Sequence, residues 1–209
     1  MKINVHSLGK KYDYLWVFNN FDYEFVDGNV YAILGKNGSG KSTLLNILSS
    51  FSEPTLGKVE YFSNQSERIN TDKIFQKIIF MASTTELPEE LTLKELLNFY
   101  KKFKQPINEF STQFFLDSLQ IEAEENQRIQ YYSSGMKQKI KVGLSFLFDS
   151  EMIFLDEPCT HLDETGVQIY NQLIKDYLRN RILIISSNNK KEYELANKFI
   201  NIEEYKPKK

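Results

Sequence analysis

Apolar and polar side chains alternate over residues 2–8 and again over 21–26, the period of strands with one covered face. Asp27-Gly28-Asn29 then reads as a turn. Val30-Tyr31-Ala32-Ile33-Leu34 is apolar throughout, as a strand buried on both faces would be. The short apolar runs 78–81, 152–155 and 182–185 have the same character. Between them the period changes. Residues 42–51 place Leu44, Leu45, Ile47 and Leu48 on one helical face, and Thr92 can cap a helix over 93–103. A further amphipathic stretch covers 110–119, and helices are expected from about 134 to 148 and over 164–178. Strand, helix, strand in this order predicts an α/β core with a parallel sheet and right-handed crossovers. A small antiparallel β region precedes it, and a helical insertion covers roughly 84–148. The chain is expected to be a single domain, with its core in 1–83 and 149–209.

Composition narrows the chemistry by exclusion. The 209 residues carry a net charge of −2, so the basic footprint that holds nucleic acid through its phosphates is missing. Cys159 is the only cysteine, and His6 and His161 stand far apart in sequence, which leaves no disulfide framework and no Cys- or His-based metal site. The apolar runs fall well short of the roughly 20 residues a membrane span requires, and the first residues lack the apolar stretch of a signal peptide. The expectation is a cytoplasmic protein that meets a membrane only through a partner.

The strongest chemical signal follows the all-apolar strand. Gly35-Lys36-Asn37-Gly38-Ser39-Gly40-Lys41-Ser42-Thr43 fits G-x-x-x-x-G-K-[ST], and it sits between a strand and a helix as that motif requires. The glycines let successive N–H groups turn toward phosphate oxygens, and Lys41 adds charge on the β- and γ-phosphates. The Ser42 hydroxyl is a ligand for Mg²⁺, and the helix dipole points at the same phosphates. The expected ligand is ATP with Mg²⁺. Far downstream, Met152-Ile153-Phe154-Leu155-Asp156-Glu157 is an apolar run ending in two carboxylates. Asp156 can hold Mg²⁺ through water, and Glu157 is placed to act as general base on an attacking water. Alone, such a run is an ordinary strand end; the phosphate loop gives it meaning.

Tyr132-Ser133-Ser134-Gly135-Met136-Lys137-Gln138 lies between these motifs and resembles the signature of ATP-binding cassette (ABC) proteins, usually LSGGQ. Asp156-Glu157-Pro158-Cys159-Thr160-His161-Leu162-Asp163 resembles the same family's Walker B segment and D-loop, which ends on Asp163. The resemblance implies an ABC-type P-loop NTPase core. It also implies a head-to-tail dimer with a second cassette, in which Ser133, Ser134, Gly135 and Met136 of one copy complete the ATP site of the other. Tyr12 is the candidate for stacking on adenine, with Tyr14 and Trp16 as rivals. A transmembrane permease is the implied partner, docked on the helical insertion around 84–103, and the signature style is that of exporters.

Two positions depart from that pattern. Ser83 stands where the family places a glutamine after the strand 78–81, and Gln76 lies before that strand. Asn188, after Ile184-Ile185-Ser186-Ser187, stands where a switch histidine is expected. An amide can donate a hydrogen bond to a γ-phosphate but cannot relay a proton, so ATP binding with slow turnover is the chemical expectation. A weakly active regulatory cassette and a soluble assembly factor are the competing functions.

Overall fold

The alternating segments become β1 (Lys2–Tyr12) and β2 (Leu15–Val26), an antiparallel hairpin that buries Ile3, Val5, Leu8, Phe21 and Phe25. The all-apolar segment is β3 (Val30–Leu34). A computed structural model describes residues 1–124 and 126–207. Its first sheet is completed by β4 (Leu56–Phe62) and β5 (Arg68–Ile69), in the order β2-β1-β4-β5 with every pairing antiparallel. The second sheet adds β6 (Ile78–Ala82), β7 (Met152–Asp156), β8 (Ile182–Ser186) and β9 (Lys198–Asn201) to β3. It is parallel throughout, in the order β6-β7-β8-β3-β9.

Both faces of β3, β6, β7 and β8 are covered, which is why these strands are apolar without alternation, whereas β9 at the edge buries only Ile200. Met152, Phe154, Ile182 and Ile184 share a core with the antiparallel sheet and with helix α1 (Lys41–Leu48). Their neighbours Ile153, Leu155, Leu183 and Ile185 face the other way, into a core with the remaining helices. These are α2 (Leu93–Tyr100), α3 (Thr112–Ser118), α4 (Ser134–Phe146) and α5 (Glu164–Tyr177). Each fully buried Leu, Ile or Phe in these layers contributes on the order of 1.5–3 kcal/mol.

The helices stop earlier than their periodicity predicts, for local reasons. α1 ends before Ser50, which takes a left-handed φ of 64°. α2 gives way after Tyr100 to tighter turns, with Lys102 and Phe103 donating to Phe99 and Tyr100. α4 ends at Phe146 because the next carbonyl, on Leu147, accepts from Ile107, and Phe148 bridges Pro106. Thr92 caps α2 as expected, in a reciprocal box with Glu95. Arg181, buried just before β8, donates to the carbonyls of Phe146, Phe148, Tyr177 and Leu178. One guanidinium thereby caps the ends of α4 and α5, and burial brings its pKa down to about 10.

Candidate functional site

β3 delivers the chain to the glycine-rich loop, and two glycines there are sterically required. At Gly40, φ is 106° and a Cβ would lie 2.3 Å from Val17 Cγ1. At Gly35 a Cβ would lie 2.6 Å from Ser39 Oγ and 2.8 Å from Ile202 Cγ2. α1 begins at Lys41, so its first N–H groups open onto the loop. Lys41 is buried, with Nζ donating to the carbonyls of Gly35 at 2.9 Å and Lys36 at 3.3 Å. The loop therefore wraps its own ammonium. Ser39 is buried with its hydroxyl unpartnered, the sort of polar atom a phosphate oxygen would satisfy.

One cleft of about 430 Å³ brings most of the predicted nucleotide residues together. Tyr12, Asn37, Gly38, Gly40, Lys41, Ser42, Thr43 and Glu157 line it, while Gly35 and Ser39 lie outside its lining. Tyr12 is 56% exposed, with Lys10 Nζ 5.2 Å from its ring centroid, and is open to a stacking partner. Tyr14, 97% exposed, and Trp16, under Lys11 Nζ, are absent from the lining.

Asp156 ends β7, in register with Ala82 of β6 and Ser186 of β8. The next residue, Glu157, takes a left-handed φ of 51°, uncommon outside glycine and a marker of functional turns. That turn is secured by Glu157 N–H on the Ser186 carbonyl at 2.9 Å and by Thr160 Oγ1 on the Glu157 carbonyl at 3.0 Å. Among the described residues, no group of three or more His, Cys, Asp or Glu side chains could hold a metal. The Ser42 hydroxyl and the Asp156 carboxylate are a small oxygen donor set, suited to a Mg²⁺ whose other ligands are phosphates and water.

The signature and D-loop residues take cap positions. Ser133 caps α4, accepting from Met136 N–H at 3.2 Å, and Ser134, Gly135 and Met136 form the first turn. Asp163 caps α5, accepting from Gly166 N–H at 2.7 Å. A Cβ on Gly135 would lie 3.3 Å from the His161 carbonyl, so the two segments pack on each other. Neither contributes to the lining of the cleft. The two divergent positions do meet the site. Ser83 N–H donates to the Asp156 carbonyl at 2.9 Å, and Asn188 Nδ2 donates to Asn37 Oδ1 at 2.6 Å. Gln76 precedes β6, its carbonyl accepting from Lys104 Nζ at 2.5 Å.

Sequence reasoning did not single out Glu192. Its buried carboxylate accepts from Cys159 N–H at 2.9 Å, and its carbonyl accepts from Tyr170 Oη at 2.8 Å. Burial, helped by the charges of Glu157 and Asp156, raises its pKa above the usual carboxylate range. A lone Glu in a polar stretch gives no signal of this; only the fold brings it under the acidic turn. Burial likewise pushes the Cys159 thiol up, making it an inert core residue.

Comparison with known proteins bears on the family and the fold. The family model described as ABC transporter matches residues 18–160. YcbN of Bacillus subtilis, an uncharacterized ABC transporter ATP-binding protein, is 28% identical over 88% of this chain and 61% of its own length. The bacitracin transport ATP-binding protein BcrA of Enterococcus faecalis is 28% identical over 79% of this chain and 53% of its own. This chain therefore spans only 53–61% of the length of these two relatives. A putative ABC transporter ATP-binding protein from Pyrococcus furiosus superposes with a TM-score of 0.82 at 22% identity, covering 99% of this chain and all of that one. A dimeric ATP-binding cassette in a post-hydrolysis state, bound to ADP and Pi, superposes with a TM-score of 0.79 at 20% identity, covering 96% and 95%. The structures share its fold, and the family model covers most of its length: the chain belongs to the ABC transporter family.

Proposed function

We propose that this chain binds Mg·ATP in the cleft between Tyr12 and Glu157, dimerises head to tail on it, and hydrolyses it slowly to power a membrane permease. One observation carries the reading: the buried Lys41, the Ser42 hydroxyl and the strained Glu157 open into a single cleft. The loop N–H groups and the α1 dipole receive the phosphates, and Lys41 exchanges its loop carbonyls for phosphate oxygens. Ser42 and, through water, Asp156 would hold Mg²⁺, which would supply positive charge to the phosphates. Glu157 accepts the proton of the attacking water. Asn188 reaches the phosphates from β8 as a donor only, so it steadies the γ-phosphate without taking up a proton.

Ser133, Ser134, Gly135 and Met136 stand away from their own cleft, as residues serving the second copy's nucleotide would, with the α4 dipole behind them. Asp163 fixes the D-loop between them and Glu157. The helical segment 84–148, inserted between core segments 1–83 and 149–209, is the docking side for the permease, and the cassette sits on the cytoplasmic face. An export direction rests on the Tyr-Ser-Ser-Gly-Met-Lys-Gln signature, and a relative in Aliivibrio fischeri, 26% identical, is named as a cytochrome c biogenesis export protein. The Asn188–Asn37 bond favours one second reading, a regulatory cassette whose turnover rises only beside a more active partner.

Steady-state hydrolysis and equilibrium nucleotide binding test the proposal on the wild type and Glu157→Gln. Binding is expected in both, and the variant's kcat should be lower by about 10²–10⁴-fold. A wild type with no affinity for ATP ends the proposal; a variant as fast as the wild type removes Glu157 from the chemistry.

A further inference from the structure

α4 carries three buried polar side chains on one face, Gln138, Lys141 and Ser145, the last of which donates only to the Lys141 carbonyl within the helix, at 2.9 Å. Gln138 and Lys141 are three residues apart, so they stand one above the other. Gln138 Nε2 donates to the Pro158 carbonyl at 2.6 Å, in the turn that follows the acidic pair. Lys141 Nζ donates to the carbonyls of Ser83 at 2.9 Å and Thr85 at 3.1 Å, in the turn that follows β6. Those two turns are themselves joined, because Ser83 N–H donates to the Asp156 carbonyl at 2.9 Å. Thr85 Oγ1 also accepts from Ala82 N–H, folding the Ser83 turn back onto the strand end. The result is a closed circuit: α4, the end of β6, the end of β7, and α4 again.

A buried ammonium is an expensive way to fill space. Desolvation penalises it, and an unbranched apolar side chain of similar length would pack there without that penalty. Burial indeed pulls the Lys141 pKa down. Its hydrogen bonds end on main-chain carbonyls, so they constrain where two strand ends sit rather than pairing with a partner charge. We propose that Lys141, together with Gln138, is a positioning residue that registers the signature helix against the ends of β6 and β7. Movement at Ser133 thereby reaches Asp156, Glu157 and the Ser83–Thr85 turn as one displacement. The inference rests on the ATPase reading of the cleft, since it concerns the alignment of the acidic pair.

Lys141→Met tests it, by amide hydrogen exchange without nucleotide, thermal melting and ATPase kinetics. The expected result is exchange faster by about tenfold or more over residues 83–87 and 156–160, against unchanged exchange in the α5 interior. The same variant should lose about tenfold or more in kcat, with KM for ATP within about threefold of wild type, since misplacement by about 1 Å costs up to ~10²-fold. Lys141→Gln, which keeps a donor, should recover part of both effects and is the variant to use if the methionine form does not fold. Unchanged exchange in the two turns, or unchanged kcat, overturns the proposal. So does a kcat loss accompanied by faster exchange everywhere, which would mark a merely structural role. Absence of ATP binding in the wild type would instead defeat the reading of the cleft, with the exchange pattern still deciding whether the circuit exists.

Discussion

On the proposed reading, one side chain, Asn188, limits the chemistry of the cleft. Its amide donates to Asn37, on the loop proposed to carry the phosphates, but an amide cannot relay a proton. Asn188→His is expected to raise kcat by about tenfold or more with KM little changed, measured by phosphate release, because general acid–base help is worth about 10²–10⁴-fold. No gain would mean that the slow step lies elsewhere. Glu192 makes a prediction in pH. Its folded pKa lies above the unfolded value, so its contribution to stability is full below the ordinary glutamate pKa of about 4.3 and declines as pH rises through the folded value. Wild type should therefore lose urea resistance relative to Glu192→Gln between pH 4.5 and pH 8. A constant gap between the two midpoints would show that the carboxyl titrates normally. The phosphate-loop residues were legible from type and spacing alone, since Lys41 and the glycines act through the backbone around them. Glu192 was not, because its environment is assembled from β7, α5 and the segment after β8.

Among the elements, the parallel strands β3, β6, β7 and β8 were the easiest to read, their apolar runs being long enough to need cover on two faces. β4, β5 and β9 escaped. β4 buries only Tyr61 and β9 only Ile200, so neither shows a period. Their pairing comes from neighbours β1 and β3, which a local pattern cannot reveal. Helix ends went the same way. Leu147 and Phe148 are apolar and in phase with α4, yet a bond from Ile107 and the bridge to Pro106 claim them first. α4 comes close to the α3 segment at Gly143, where a Cβ would lie 2.7 Å from Leu119 and 2.8 Å from Phe115. Gly143→Ala improves helix propensity by about 1 kcal/mol but overpacks buried side chains at a cost of about 1–3 kcal/mol. A net loss of about 1 kcal/mol in urea unfolding is expected. A stabilised variant would mean that α3 moves aside freely.

For the whole molecule, two layers of core on one parallel sheet set a polarity: phosphate loop, acidic turn and Asn188 all gather at the C-terminal ends of β3, β7 and β8. The signature segment does not line that edge's cleft, and on the proposed reading a second copy completes the site. With ATP, Glu157→Gln is expected to run in gel filtration at twice the 24.6 kDa of one chain, and as a single chain without nucleotide. A monomer under both conditions would argue for an obligatory different partner. Among the described residues no helix is long and apolar enough to cross a membrane. One contact bears on how such a chain is made. Ile202 presses on Gly35, and β9 flanks β3 on the side away from β8. A ribosome that has finished β8 has already translated the glycine-rich loop, the signature segment and the acidic pair, yet the loop still lacks its backing from β9 and Ile202. Until residues 198–202 emerge, a chaperone would therefore meet the glycine-rich loop with one flank open.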